Sequence, residues 1–211
     1  MTERTSRPAH RPSRRSTIIE VGTRLFATTA FDEVTVGDIA EQADMTAAAV
    51  YYHFTGKEQI LFEAVREFGD ELLGRARELA GSESDPGAMV VALLDHVRRR
   101  RHPAKLFFVA SAGLHPAVDE YRSELRVDLA DRLGNVARRS RPTMPPAELA
   151  VVGVTLVSIV EVAASSLLQR DATFQTIGAR SFPEAIAELV HRIVGDDLAG
   201  LRAAPERSSR S

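Results

Sequence analysis

The chain has 211 residues, is 44% hydrophobic, carries a formal net charge of -2 and lacks cysteine. That is enough apolar material for a packed core in one domain, or in a small module plus a larger one. The missing thiols exclude a disulfide framework, a cysteine nucleophile and a Cys-based zinc site, and suit a reducing cytoplasm.

The charge is unevenly spread. Residues 1–15 hold Arg4, Arg7, Arg11, Arg14 and Arg15 against Glu3 alone, so the body is acidic. Such an arm suits either a chain that touches DNA with one end or a solubilising tail. No apolar run follows it, which reads as no signal peptide. Residues 1–13, rich in Arg, Pro and Ser, read as a disordered arm. A first helix is expected from about Arg14 to Thr29, with Ile18, Val21, Gly22, Leu25 and Phe26 on one stripe.

Val34 to Phe54, VTVGDIAEQADMTAAAVYYHF, carries two helix starts. Thr35 caps the first with Asp38 three residues on, and Val34 with Ile39 makes a hydrophobic staple. The grammar repeats eleven residues later, where Thr46 caps and Met45 with Val50 staples. Asp44 stands in the turn, where Asp tolerates a left-handed backbone. Two helices this short need a neighbour, and their arrangement is that of a helix-turn-helix.

Thr55-Gly-Lys-Glu58 reads as a capping box opening a fourth helix, whose apolar side is Leu61, Val65, Phe68, Leu72, Ala76 and Leu79. At roughly 36 Å it is long enough to join two modules. A turn at Gly81 to Gly87 follows, and Asp85-Pro86 starts a fifth helix that ends in Arg98 to Arg101. His102-Pro103 and His115-Pro116 are expected to break the chain on either side of a short sixth helix holding Leu106, Phe107, Phe108 and Val109. The seventh helix runs from about Pro116 to Arg139, burying Val118, Tyr121, Leu125, Leu129, Leu133 and Val136. The eighth, about Ala147 to Gln169, is apolar nearly all round, so it is central, lies in an interface or crosses a membrane. Glu161 at its middle argues against a membrane span. Arg170 to Arg180 reads as a loop, and Ser181 to Glu184 as the cap of a ninth helix burying Ile186, Leu189, Val190, Ile193 and Val194.

Together the first helix, TVGDIAEQADMT, the YYHF of Tyr51 to Phe54, and Gly56-Lys57-Glu58 resemble the TetR family of bacterial repressors over about residues 14–65. The resemblance implies an all-α homodimer of about nine helices. Its expected divisions are an arm at 1–13, a helix-turn-helix domain at 14–60, a helical ligand-binding and dimerisation domain at 61–198, and a disordered tail at 199–211. It also implies a double-stranded DNA operator, palindromic because the protein is two-fold, and a small-molecule effector that releases the repressor. The apolar second domain suggests a lipophilic effector, fatty-acyl, steroid-like or aromatic. No membrane partner, cofactor or metal is expected, since His96, His102 and His115 lack ligand spacing. No catalytic constellation points to an enzyme. The competing readings are an all-helical lipid-binding protein or enzyme without DNA function, and a DNA-binding regulator without a ligand.

The DNA-contact candidates are Arg14, Arg15, Thr35, Thr46, Ala47, Ala48, Tyr51, Tyr52, His53 and Lys57. A recognition helix enters the major groove by its N-terminal end, which places Thr46 to Ala49 nearest the bases, while Tyr51, Tyr52, His53 and Lys57 reach phosphates. One tyrosine is expected in the core with Phe54, because successive residues do not share a helix face. The family often has a basic or polar residue where this chain has Gly37, and a glycine where it has Asp44. With three alanines leading the helix, base readout is sparse, and Arg11, Arg14 and Arg15 are the candidates to supplement it in the minor groove.

For a ligand the candidates are Phe107, Phe108, Ser111, Tyr121, Ser158, Glu161 and Ser165. Ser158, Glu161 and Ser165 share a helix face that lines either a cavity or a dimer seam, unless Glu161 pairs with Arg122 or Arg126. The expected dimer surface is Val152, Leu156, Ile159, Val160, Ile186, Leu189, Val190 and Ile193.

Overall fold

The computed structural model describes residues 13–195. The arm apart from Ser13, with Arg11 in it, and the tail at 199–211 lie outside the described residues. Among the described residues every regular element is helical.

Helix α1 (Arg14–Thr28) starts at Ser13, whose side chain accepts from the Ser16 amide. It buries Ile18, Ile19, Val21 and Phe26. A 3-10 turn, Phe31–Glu33, leads to α2 (Val36–Gln42) and α3 (Ala47–His53). The α2 cap is reciprocal, with Thr35 accepting from the Asp38 amide and Asp38 from the Thr35 amide. The Thr35 hydroxyl, donating to the Asp38 carboxylate at 2.7 Å, and then the Thr35 amide hold that carboxyl below its usual range. Thr46 caps α3 through the Ala49 amide, and Asp44 has φ 54°, the left-handed turn expected of it.

Helix α4 (Lys57–Ser82) is shared. Its first turns bury Ile60, Leu61 and Ala64 on the side that packs against α1, and its later turns bury Leu72, Leu73, Ala76 and Leu79 in the second domain. Gly22 lets α1 and α4 approach, since a Cβ there would lie 2.6 Å from Ile60 Cγ2. The expected box at the start of α4 does not form, since the N-cap is Gly56 and no side chain caps the helix. Gln59, not Glu58, accepts from the Thr55 amide and hydroxyl, at 2.7 and 3.2 Å.

The second domain adds α5 (Pro86–Arg99), α6 (Arg101–Lys105), α7 (Pro116–Ser140), α8 (Pro146–Gln169), α9 (Ala172–Ile177) and α10 (Ser181–Val194). Asp85 caps α5 through the Gly87 amide, as its Asp-Pro start implied. Pro103 does not break the chain. The break is at Arg100, and Pro103 sits in the first turn of α6, where no amide donor is required. Helix α6 continues into a π-helical turn, Leu106–Ala110. The wider π turn narrows the angular step between neighbours, so Phe107 and Phe108 face the same space. The expected loop at 170–180 contains α9, started by Asp171 accepting from the Phe174 amide. Ser181 opens α10 without capping it.

Helices α7 and α8 lie against each other at two glycines. A Cβ on Gly153 would lie 2.4 Å from the Ala130 carbonyl oxygen, and one on Gly134 would lie 3.3 Å from that of Leu149. This contact fixes the rotation of α8, turning Val152, Leu156, Val157 and Val160 into the core. Helix α8 is the one described helix long and apolar enough to cross a membrane by length and composition.

Candidate nucleic-acid interface and interior cavity

The outward face of the first three helices begins at α3. Val50 and Phe54, four apart, take its buried side and are 0% and 2% exposed. Tyr51 and Tyr52 both project outward, at 57% and 85% exposure. The expectation of one core tyrosine is thereby corrected, because Val50 and Phe54 already fill the inner positions. Tyr52 meets the His53 ring edge-on, with centroids 5.0 Å apart. Thr46, Ala47 and Ala48 are exposed beside them, and Arg14 and Thr17 of α1 border the same open groove as Asp44 and Thr46. Thr35 is exposed, but its hydroxyl is engaged with Asp38.

Two of the cations read as DNA contacts are engaged within the fold. Lys57 Nζ donates to the carbonyls of Phe31 at 2.8 Å and Val34 at 2.9 Å and lies 4.5 Å from the Phe31 ring centroid. It ties the start of α4 to the turn before α2. Arg15 pairs with Glu63 at 2.9 Å and stacks 5.0 Å from the Phe54 ring. Glu63 also pairs with Arg66 at 2.7 Å. Burial pushes the Glu63 carboxyl up, but the Arg66 hydrogen bond and the Arg15 charge together hold it below its usual range.

This cluster continues toward the second domain. Tyr121 of α7 donates to the Arg66 carbonyl at 3.1 Å and to Asp70 at 2.9 Å. Burial and the Asp70 bond raise its hydroxyl well above the usual tyrosine range. Gly69 makes room, since a Cβ there would lie 2.4 Å from the Tyr121 hydroxyl. A chain of polar contacts therefore runs from α7 through α4 and Arg15 to the residue that ends α3. One turn further along, His96 stacks on Phe68, its Nε2 buried without a hydrogen bond, and burial lowers its pKa.

A cavity of about 220 Å³ opens inside the second domain between α4, α5, the π turn, α7 and α8. Phe107, Phe108, Leu125, Leu129, Val157 and Val160 form much of its apolar wall. Of the predicted ligand residues, Phe107, Phe108 and Glu161 line it. The other four lie outside that lining. Ser111 is fully buried and donates to the Phe107 carbonyl, and Tyr121 points toward α4. Ser158 accepts from Arg126 at 2.8 Å, and Ser165 is half-buried further along α8. Glu161 pairs with Arg126 at 3.5 Å, which decides between the two arginines weighed for it.

Asp119, Arg122, Ser123 and Arg126 also line the cavity. None of the four is among the predicted ligand residues, and Arg122 and Arg126 were considered only as partners for Glu161, although Arg122 occupies the apolar stripe of α7 between Val118 and Leu125, where a hydrophobe is ordinary. A charge on a core stripe is the signal that would have found it.

The expected dimer surface is corrected for four residues. Val152, Leu156, Val160 and Val190 are at most 5% exposed and belong to the protomer's own core. Ile159, Ile186 and Ile193 are half-buried, and Leu189 is exposed. On α7 and α8 the large apolar residues left exposed are Val127, Val151, Val154 and Val162, at 49% to 67% exposure. An all-apolar helix does not announce which face its own domain takes, and the Gly153 contact decides it.

Residues 18–64 match the model of bacterial regulatory proteins, tetR family. The HTH-type transcriptional repressor KstR2 of Rhodococcus jostii (strain RHA1) is 34% identical over 113 residues, 54% of this chain and 50% of that protein. The chain thus spans about half the length of the curated relatives it matches, or less. Among solved structures, a bacterial regulatory protein in the tetR family from Rhodococcus RHA1 superposes with a TM-score of 0.72 at 18% identity, covering 88% of this chain and 98% of that one. A SmeT–triclosan complex gives 0.69 at 16% identity, covering 85% and 90%. At these identities the structures establish a shared fold.

Proposed function

The chain belongs to the TetR family of bacterial regulators, and from that premise we propose that it is a transcriptional repressor that binds a palindromic operator as a homodimer and is released by a small lipophilic effector. The observation that carries this reading is the exposed pair Tyr51 and Tyr52 on a capped recognition helix, tied by α4 to a domain with an apolar cavity. Large exposed aromatics in the last turn of a helix whose first turn is also exposed mark a surface that expects a partner. Here the chemistry fits phosphates and major-groove edges. Its working compartment is then the cytoplasm, where the DNA is.

Dimerisation is assigned to the exposed valines of α8 together with Leu189 of α10. Two copies joined there present two recognition helices, which must sit about 34 to 36 Å apart to meet successive major grooves. An effector that favours another spacing withdraws population from the DNA-binding state. The route is α4 and the contacts from Tyr121 through Arg66, Glu63 and Arg15. The curated relatives are named as repressors and one structural relative as a triclosan complex, which supports both halves of the reading.

The test is a gel shift on the DNA upstream of the protein's own gene, across a range of salt. A retarded complex whose affinity falls with salt is expected. Val151→Glu/Val162→Glu, two charges on the proposed seam, should give a monomer by light scattering and abolish the shift. No retarded complex with upstream DNA at low salt, or a charged variant that remains a dimer, would overturn the corresponding half of the assignment.

A further inference from the structure

The cavity wall holds one cation that the fold does not neutralise. Arg122 is half-buried on α7, facing a space otherwise walled largely by leucine, valine and phenylalanine. Its guanidinium lies 5.4 Å from the Phe107 ring centroid, an attractive contact that supplies no hydrogen-bond acceptor in its plane. Among the described residues no hydrogen bond or ion pair reaches it.

The two carboxylates that share the lining are engaged elsewhere. Asp119 accepts from the Gly113 amide at 3.1 Å, outside the cavity wall, and Glu161 pairs with Arg126 at 3.5 Å. Both attract Arg122 through space, while burial alone lowers its pKa, the direction expected of a cation short of counter-charge. Its nitrogens keep some solvent contact, so water serves the five donors until an occupant with acceptors replaces it. A carboxylate matches the planar fork of a guanidinium better than a hydroxyl or an amine does.

We infer that the effector is a small amphipathic anion, a monocarboxylate on an apolar body, with its head paired to Arg122 and its body against the wall formed by Phe107, Leu129 and Val157. A cavity of 220 Å³ corresponds to about seven waters at ~30 Å³ each, so the occupant has roughly seven to twelve heavy atoms. Arg122 is then the residue that sets specificity, selecting for charge, while the walls select only for size. This inference rests on the proposed role of the cavity as the effector site.

The probes are octanoate, 1-octanol and octylammonium, matched in body at about ten heavy atoms and differing in head charge. Each is titrated calorimetrically into the full-length protein, wild type, Arg122→Met and Arg122→Lys. Melting without probe reports whether each variant folds, and methionine keeps much of the packing on Phe107. Octanoate should bind saturably and raise the melting temperature of the wild type. Its affinity should fall about 10- to 100-fold in Arg122→Met and less in Arg122→Lys, with 1-octanol and octylammonium at least about tenfold weaker than octanoate in the wild type. Equal affinity for octanoate and 1-octanol, an Arg122→Met variant that binds octanoate as wild type does, or binding of no probe overturns the inference. Operator release is read separately. Octanoate bound through Arg122 with the operator complex intact supports the anion site and refutes effector-controlled release. A neutral probe that binds and releases operator does the reverse.

Discussion

Lys57→Met separates two roles for one residue. The ammonium donates to two carbonyls, Phe31 at 2.8 Å and Val34 at 2.9 Å, and lies over the Phe31 ring. A hydrogen bond to a charged donor contributes about 1.5 to 3 kcal/mol, and a cation over an aromatic ring about 0.5 to 1 kcal/mol at an exposed site. Water re-solvates the half-exposed carbonyls in the variant, and methionine retains part of the packing. A net loss of about 2 to 3 kcal/mol is therefore expected. In a chain this long each kcal/mol moves the melting temperature by about 2 to 4 °C, which gives a fall of roughly 4 to 12 °C at fixed protein concentration. The turn before α2 loosens, so affinity for all DNA sequences falls together, while the slope of log affinity on log salt stays the same. A phosphate-contacting lysine behaves in the opposite way, with stability unchanged and the slope smaller by about one. Melting and anisotropy titrations on one preparation decide between them. An unchanged melting temperature with a reduced slope would refute the clasp.

Tyr51→Phe and Tyr52→Ala change exposed groups, so stability should stay within about 0.5 kcal/mol of wild type. Operator affinity should fall by about 1 kcal/mol, roughly fivefold, for each hydroxyl or ring lost, with the salt slope unaltered because no charge is removed. Loss of preference at a single base pair, scored on a panel of operator variants, would show a base contact instead. For Glu63 the folded carboxyl lies below its ordinary value of 4.5. Its contribution is fully present above about pH 4.5 and is lost as pH falls through the depressed folded value. Glu63→Gln should therefore lower the urea midpoint at pH 7 and flatten the acid limb below pH 4.5; an identical acid limb in the two proteins would remove Glu63 from the ion-pair account.

Local chemistry was enough to find the helix-turn-helix unit. Thr35, Asp38, Asp44 and Thr46 act within three or four residues of themselves, and caps and left-handed turns are short-range effects that sequence spacing specifies. The same holds for the Asp85-Pro86 start of α5. Long-range assignments fared differently. Lys57 and Arg15 looked available to phosphate because their partners, Phe31, Val34 and Glu63, lie 23 to 48 positions away in sequence. Tyr121 was read as a cavity wall, yet its hydroxyl bonds a helix 51 positions distant.

The cavity and the proposed dimer face depended on helix rotation, which periodicity fixes only when a helix has a polar side. Helix α8 has almost none, so its buried side was set by the backbone approach of Gly153 to Ala130 rather than by a hydrophobic pattern. That rotation buried Val152, Leu156 and Val160 and left Val151, Val154 and Val162 outside. The sequence by itself determined an all-helical chain with a capped helix-turn-helix at its N-terminal end, because caps, turns and one-sided stripes are local. The tertiary structure alone decided which cations are spent inside the fold and which one, Arg122, faces the cavity without a paired carboxylate among the described residues, because counter-charge comes from neighbours distant in the chain.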